Sequence, residues 1–208
     1  MPPIDALLLF FTSSVLLALA PGPDNLFVMV QAAQRGKMAG LAVTLGLCTG
    51  LLGHTTAVAF GLAAVFKAST IAFNLLKYLG AAYLLYLAWG AFRAGGDGDT
   101  EARSVDLPFI RLYRRGIIMN ITNPKVSIFF LAFLPQFADP QYGSLIPQMI
   151  LLGALFILAT ILIFGGISLL AGAFGERFRE SGRAKRVLNW LAGSVFAGLA
   201  IKLAFTER

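Results

Sequence analysis

The chain has 208 residues, of which 58% are hydrophobic and only 13% are charged, yet its formal net charge is +7. Soluble domains carry roughly 25% charged residues, and one small globule cannot bury this much apolar surface. The composition excludes an ordinary soluble enzyme and favours a membrane protein.

Apolar stretches follow one another along the whole chain. A membrane-spanning helix needs about 20 mostly apolar residues, and the stretches of that length lie at roughly 4–33, 38–66, 70–92, 116–137, 145–174 and 187–205. We therefore predict an all-α fold: a polytopic membrane protein with six transmembrane helices. The first stretch is expected to be retained, because a cleaved signal peptide carries Lys or Arg ahead of its apolar run, whereas residues 1–5 contain neither.

The basic residues are unevenly distributed among the connections. With six spans, the connections after spans one, three and five lie on one side of the membrane, and they hold most of the 17 Lys and Arg residues. The positive-inside rule places these connections in the cytoplasm and both termini outside. The basic residues of these three connections are Arg35, Lys37, Arg93, Arg103, Arg111, Arg114, Arg115, Arg177, Arg179, Arg183, Lys185 and Arg186. This topology and contact with membrane lipid explain the basic cluster at 177–186, so no nucleic-acid partner is expected.

The longest connection, 94–110, mixes Gly with residues of both charges and is predicted to be a flexible cytoplasmic linker. It divides a single transmembrane domain, 1–208, into repeat halves at 1–93 and 111–208. Because each half has three spans, the two halves cross the membrane in opposite senses. The sequence therefore predicts a 3+3 inverted repeat.

A proline motif interrupts the first span of each half. Proline removes a backbone donor and clashes with the preceding turn, so helices 1 and 4 are predicted to be broken. Free amides at a break favour a carboxylate, and free carbonyls favour an ammonium group. Aligning Pro23 with Pro124 places Asp24 opposite Lys125. The candidate substrate-binding residues are Pro21, Gly22, Pro23, Asp24, Asn25, Asn120, Asn123, Pro124 and Lys125.

Asp24 and Lys125 are the charges that need a functional explanation. Both lie well inside apolar stretches, and Lys125 is too far from a helix end to reach the membrane surface easily. Burying such charges in hydrocarbon costs at least several kcal/mol. We expect them to pair with each other, with the breaks or with a ligand. The alternatives are a purely structural ion pair and prolines that only kink the helices.

Two residues that occur once in the chain, His54 and Cys48, limit the chemistry that the protein can perform. His54 lies in span two, and because a histidine titrates near physiological pH, His54 and Asp24 are candidates for proton coupling. A neutral histidine bonded between helices is the alternative. Cys48 is the single cysteine, so an intramolecular disulfide, a CxxC redox pair and a cysteine metal cluster are excluded, and no metal or cofactor is expected. The glycine spacing around Gly46 and Gly50 allows close helix packing and permits a homodimer.

Four segments in order resemble the LysE/RhtB family of bacterial amino-acid exporters, the homoserine-, threonine- and lysine-type efflux proteins. They are APGPDN at 20–25, the glycine-rich run to the histidine at 46–54, KYLGAAYL at 77–84, and NPK through FLPQF at 123–137. The resemblance implies an inner-membrane secondary transporter that exports amino acids or close derivatives, driven by protons, with periplasmic termini.

A zwitterionic substrate needs an anion site and a cation site close together. We hypothesise that Lys125 and nearby amides receive the carboxylate, while Asp24 and free carbonyls receive the ammonium group. Two other classes stay open. An intramembrane hydrolase would need a nucleophile for His54, but neither Ser168 nor Ser194 lies in a G-x-S-x-G motif. A membrane assembly subunit without transport would tolerate mutations at both breaks.

Overall fold

Every described element is helical, as expected for an all-α protein. The computed structural model describes residues 1–20, 22–62, 70–93 and 108–180, and then positions 186–187, 190–191, 193–194, 197–198, 200–201 and 204. Pro21, the 94–107 part of the predicted linker, Arg103, Arg183 and Lys185 lie outside these residues.

Seven helices, α1 to α7, are labelled here in chain order. They are α1 (Ile4–Leu19), α2 (Pro23–Arg35), α3 (Lys37–Ala57, continued by a π-helix at Val58–Leu62), α4 (Thr70–Arg93), α5 (Phe109–Thr122), α6 (Pro124–Ile128, continued by a π-helix at Phe129–Phe133 and a 3-10 turn at Leu134–Phe137) and α7 (Leu145–Glu180). A short 3-10 turn at Pro140–Tyr142 precedes α7, and the described positions from 186 to 204 are helical.

Two helices are individually long and apolar enough to cross a membrane, Lys37–Gly61 and Leu145–Ala171. Two bent pairs also pass this test if each counts as one span: α1 with α2, bent by 61°, and α5 with the segment from α6 to Phe137, bent by 52°. The part of the chain that the structure describes thus holds two candidate spans, or up to four. Both bends lie at the motifs predicted to break spans one and four.

Two helix ends differ from the positions that hydropathy predicts. Helix α5 begins at Phe109, directly after Pro108, and α7 continues to Glu180. Hydropathy locates only the apolar part of a helix, whereas Arg and Glu are good helix formers and extend it into charged sequence. Arg177 and Arg179 therefore lie on the helix and not in a connection, which corrects the predicted end near 174.

Helices α3 and α5 pack in parallel through an unusually close contact. A Cβ built on Gly46 would lie 3.0 Å from the Cα of Gly116, and one built on Gly50, a turn later, would lie 2.6 Å from the Oδ1 of Asn120. The residue numbers of the two contacts increase together along both helices, so α3 and α5 run in the same direction. Gly46 and Gly50, a pair expected to serve close packing, are used here within a single chain.

Helix α7 crosses the other side of α3 in the opposite direction. A Cβ on Gly40, near the start of α3, would lie 2.6 Å from the Oγ of Ser168, late in α7. Near the end of α3, Thr55 lies against Gly153, which is early in α7. The C-terminal part of α7 is therefore beside the beginnings of α3 and α5.

These directions gather the basic residues at one end of the bundle. Gly36 alone joins α2 to α3, so the end of α2 lies beside the starts of α3 and α5. At the opposite end, the amino group of Met1 donates a hydrogen bond to the carbonyl of Tyr142 at 2.8 Å. The side chains at the basic end are Arg35, Lys37, Arg111, Arg114 and Arg115.

An aromatic cluster holds α1 against the segment that follows the second break. The ring of Phe10 lies 5.9 Å from Phe129 and 5.2 Å from Phe137, and Phe129 lies 4.7 Å from Phe133 and 5.3 Å from Phe156. In a membrane, such packing rather than the hydrophobic effect holds helices together. The cluster therefore fixes the position of one break relative to the other.

Candidate functional site at the two helix breaks

The two breaks are built in the same way. Pro23 is the first residue of α2 and Pro124 is the first residue of α6, the position where a missing N–H group costs least. Asp24 and Lys125 come second in their helices. An acidic and a basic residue thus occupy equivalent places, as the alignment of the two motifs predicts.

The first break exposes carbonyl groups at the end of α1, which have no partners within that helix. The Nζ of Lys125 donates to the carbonyls of Leu17 and Ala20 at 3.2 and 3.0 Å. The Nδ2 of Asn25 donates to the carbonyl of Ala18 at 2.6 Å. The partly negative end of α1 is therefore neutralised by an ammonium group from the other broken span.

Asp24 makes the reciprocal connection to the second break. Its side chain is only 3% exposed, and its Oδ2 accepts a hydrogen bond from the Nδ2 of Asn123 at 2.8 Å. The Oδ1 of Asn123 accepts from the backbone N–H of Lys125 at 3.0 Å and so caps α6. Asp24 and Lys125 attract each other electrostatically, while their hydrogen bonds go to the opposite break.

Three buried oxygen atoms at the site have no hydrogen-bond partner among the described residues: the Oδ1 atoms of Asp24, Asn25 and Asn120. Of these three residues, Asp24 and Asn120 line one cavity of about 20 Å³. A cavity of this size holds about one water molecule. The lining residues are Leu17, Ala18, Asp24, Asn120, Lys125, Val126, Phe156, Thr160 and Phe164.

The start of α2 lies directly beside the Lys125 ammonium group. Gly22 precedes Pro23 in extended conformation, and no side chain caps α2. A Cβ added to Gly22 would lie 3.2 Å from the Nζ of Lys125, so the absence of a side chain makes room for this group. We call Lys125 and the start of α2 the positive pole, and the Oδ1 atoms of Asp24 and Asn120 the negative pole.

His54 reaches the site through the backbone of Asn120. Its Nε2 lies 3.3 Å from the Asn120 carbonyl, and its ring centroid lies 5.5 Å from that of Phe130. Because a carbonyl oxygen only accepts, this hydrogen bond requires the hydrogen on Nε2. The contact is compatible both with proton coupling and with the structural alternative.

The structure brings together eight of the nine predicted substrate-binding residues; the ninth, Pro21, is outside the described residues. It also adds Phe156, Thr160 and Phe164 from α7 to the cavity wall, which sequence reasoning missed. A signal for Thr160 was present, because it is the only polar side chain between positions 149 and 167.

Comparisons with known proteins agree with the resemblance seen in the sequence. A family model described as LysE type translocator matches residues 15–207. The chain is 34% identical to a homoserine/homoserine lactone efflux protein of Salmonella typhi over 94% of both chains. It is 31% identical to a membrane protein of Vibrio cholerae over 97% of both chains. No solved structure matches.

Proposed function

Because the chain belongs to the LysE-type translocator family, we propose that it is a secondary active transporter that exports an amino acid or amino-acid derivative across the bacterial inner membrane. The observation that carries the proposal is the presence of two opposite poles at one cavity. The name of the Salmonella typhi relative makes homoserine and homoserine lactone the first substrates to test.

We assign the two ends of the substrate to the two poles. The carboxylate binds Lys125 and the start of α2, where an ammonium group and helix amides favour an anion. The substrate ammonium binds the Oδ1 atoms of Asp24 and Asn120, which lack a hydrogen-bond partner among the described residues. The sequence-based hypothesis assigned free carbonyls to the ammonium group together with Asp24, but Lys125 and Asn25 already donate to the carbonyls of Leu17, Ala18 and Ala20.

The cavity of about 20 Å³ is too small for an amino acid, so substrate entry requires the two broken spans to separate. Secondary transporters commonly place their sites at such breaks and move one repeat against the other. We propose the same for this chain, with halves 1–93 and 111–208 forming a 3+3 inverted repeat. The hydrogen bonds that Lys125 and Asp24 make to the opposite breaks support this proposal. The substrate carboxylate can replace the partners of Lys125, and the substrate ammonium group can replace the partner of Asp24.

The orientation follows from the distribution of charge. The basic end of the bundle is assigned to the cytoplasm by the positive-inside rule. The N-terminus lies at the other end, beside Tyr142, and is assigned to the periplasm. A count of six spans assigns the C-terminus to the same side.

Export should depend on the charge of Asp24. We expect Asp24→Asn to lower the release of homoserine or another exported amino acid by about tenfold or more, because one hydrogen bond to a charged group is worth roughly that factor. Release and growth resistance are measured in overexpressing cells against a panel of toxic amino acids and analogues, including threonine, branched-chain and basic ones.

Asp139→Asn is the matched control for this experiment. The Oδ1 of Asp139 accepts from the backbone of Gln141 outside the cavity, and an asparagine retains that acceptor. Full export by Asp24→Asn would reject the assignment. If the wild-type protein exported no amino acid and substitutions of Asp24 and Lys125 left membrane insertion and stability unchanged, the chain would fit a membrane assembly subunit better than a transporter.

We propose protons as the coupling ion, with Asp24 and His54 as the groups that exchange them. In proteoliposomes that carry an internal pH-sensitive dye, adding substrate should produce proton movement that is absent without substrate. His54→Gln keeps a donor for the Asn120 carbonyl but cannot titrate, so it separates the two candidates. Substrate transport without any proton movement by the wild-type protein would refute the coupling.

A further inference from the structure

One face of α7 lines the cavity at the two breaks. Phe156, Thr160 and Phe164 are spaced by four residues and lie on the same side of the helix, and all three line the cavity with Asp24 and Lys125. Thr160 is 2% exposed. A single hydroxyl group therefore lies between two aromatic rings in an otherwise apolar wall.

This hydroxyl differs from the others in the helices. Every other serine and threonine whose side chain is described in α1 to α7 donates to the carbonyl four residues earlier. Thr160 makes no hydrogen bond to the described part of the chain, and it lines the cavity, so its hydroxyl is left for a partner from outside the chain. The hydroxyls with this local bond are those of Thr12, Ser13, Ser14, Thr44, Thr49, Thr55, Thr56, Thr122, Ser127 and Ser168.

We propose that Thr160 determines specificity by binding an uncharged oxygen on the side chain of the substrate. The inference rests on the proposed function, in which the poles hold the carboxylate and the ammonium group and direct the side chain towards α7. A hydroxyl both donates and accepts, so it fits a substrate hydroxyl or carbonyl. The substrates are then small amino acids or derivatives whose side chain carries one such oxygen.

The rest of the wall supports this substrate class. Apart from Asp24 and Lys125, the lining residues carry no charge, so a charged side chain would be buried without a partner. An apolar side chain of the same size would meet the same wall once the site has opened, but it would leave the Thr160 hydroxyl unpaired. Sites built to bind a substrate hydroxyl reject such analogues.

The test compares two pairs of nearly isosteric substrates, homoserine with norvaline and threonine with valine. Initial export rates are measured in proteoliposomes for the wild-type protein, Thr160→Val and Thr160→Ser. We expect the wild-type protein to favour the hydroxyl member of a pair by about tenfold, the value of one hydrogen bond. Thr160→Val should bring the ratio close to one while keeping export of the apolar member, and Thr160→Ser should keep the preference.

The outcomes separate this inference from the proposed function. If the wild-type protein exports no amino acid, the proposed function fails. If it exports them but shows no preference, or if Thr160→Val retains the preference, the role of Thr160 is refuted and the proposed function stands. Should Thr160→Val not reach the membrane, Thr160→Ala gives the same comparison, and the amount of protein is measured for each variant.

Discussion

Export should fall by about 10- to 150-fold when Lys125 is replaced by Met, the loss expected for one hydrogen bond between a charged group and the substrate, worth roughly 1.5–3 kcal/mol. Met retains most of the side-chain length but removes the ammonium group of the positive pole. The substrate carboxylate then meets only the start of α2.

The same substitution also has a structural effect that must be separated from the functional one. The Nζ of Lys125 bonds the carbonyls of Leu17 and Ala20, and each buried carbonyl left unpaired costs about 1–3 kcal/mol. Lys125→Arg keeps a cation and several donors at this position. We therefore expect Lys125→Arg to restore thermal stability in detergent while recovering only part of the export, since its planar group does not reproduce the ammonium geometry.

Lys37→Met is the matched control for Lys125→Met, because Lys37 is exposed at the basic end of the bundle. Export per molecule is obtained by dividing the release rate by the amount of protein in the membrane. Normal export per molecule by Lys125→Met would reject Lys125 as the carboxylate partner. Loss of stability with normal export would identify it as a purely structural link between the breaks.

Gly46→Ala should strongly destabilise the fold, whereas Gly53→Ala, seven residues along the same helix, should not. A Cβ on Gly46 would collide with the carbonyl of Tyr113 and lie 3.0 Å from the Cα of Gly116. These are backbone atoms, so α3 and α5 must move apart. We expect a loss of about 3 kcal/mol, in the upper part of the range for overpacking.

At Gly53 a Cβ meets nothing within 4 Å, and alanine is the better helix former by roughly 1 kcal/mol. The comparison is made by thermal unfolding in detergent and by the amount of protein in the membrane. Export should also fall in Gly46→Ala, because Gly50 and Asn120 lie one turn beyond this contact. Equal stability of the two variants would contradict the close approach of α3 and α5.

The sequence predicted where the helices break, but not which groups Asp24 and Lys125 would bond. Proline geometry alone places breaks before Pro23 and Pro124, and it makes Asp24 and Lys125 equivalent. It does not decide whether the two charges pair with each other or with the breaks, because that depends on how the broken spans meet. Their hydrogen bonds go to the opposite breaks, a result of tertiary packing through Phe10 and its aromatic neighbours.

The contribution of α7 could not be predicted for a different reason. A helix that is apolar on all sides has no periodicity to show which face lines a cavity. Thr160 stands out in that sequence only as a polar residue, and serines and threonines in membrane helices usually bond their own backbone. The missing local bond of Thr160 becomes visible only in three dimensions.

The hydrogen bonds at the two breaks also matter for the membrane itself. A membrane loses a stored ion gradient through any continuous column of water, and broken helices with free backbone groups are natural places for water to gather. Here the carbonyls of Leu17, Ala18 and Ala20 accept hydrogen bonds from Lys125 and Asn25, and the cavity at the breaks holds about one water molecule. In this conformation the hydrogen bonds at the breaks occupy carbonyl groups that would otherwise bind water, which opposes ion leakage along the two interrupted helices.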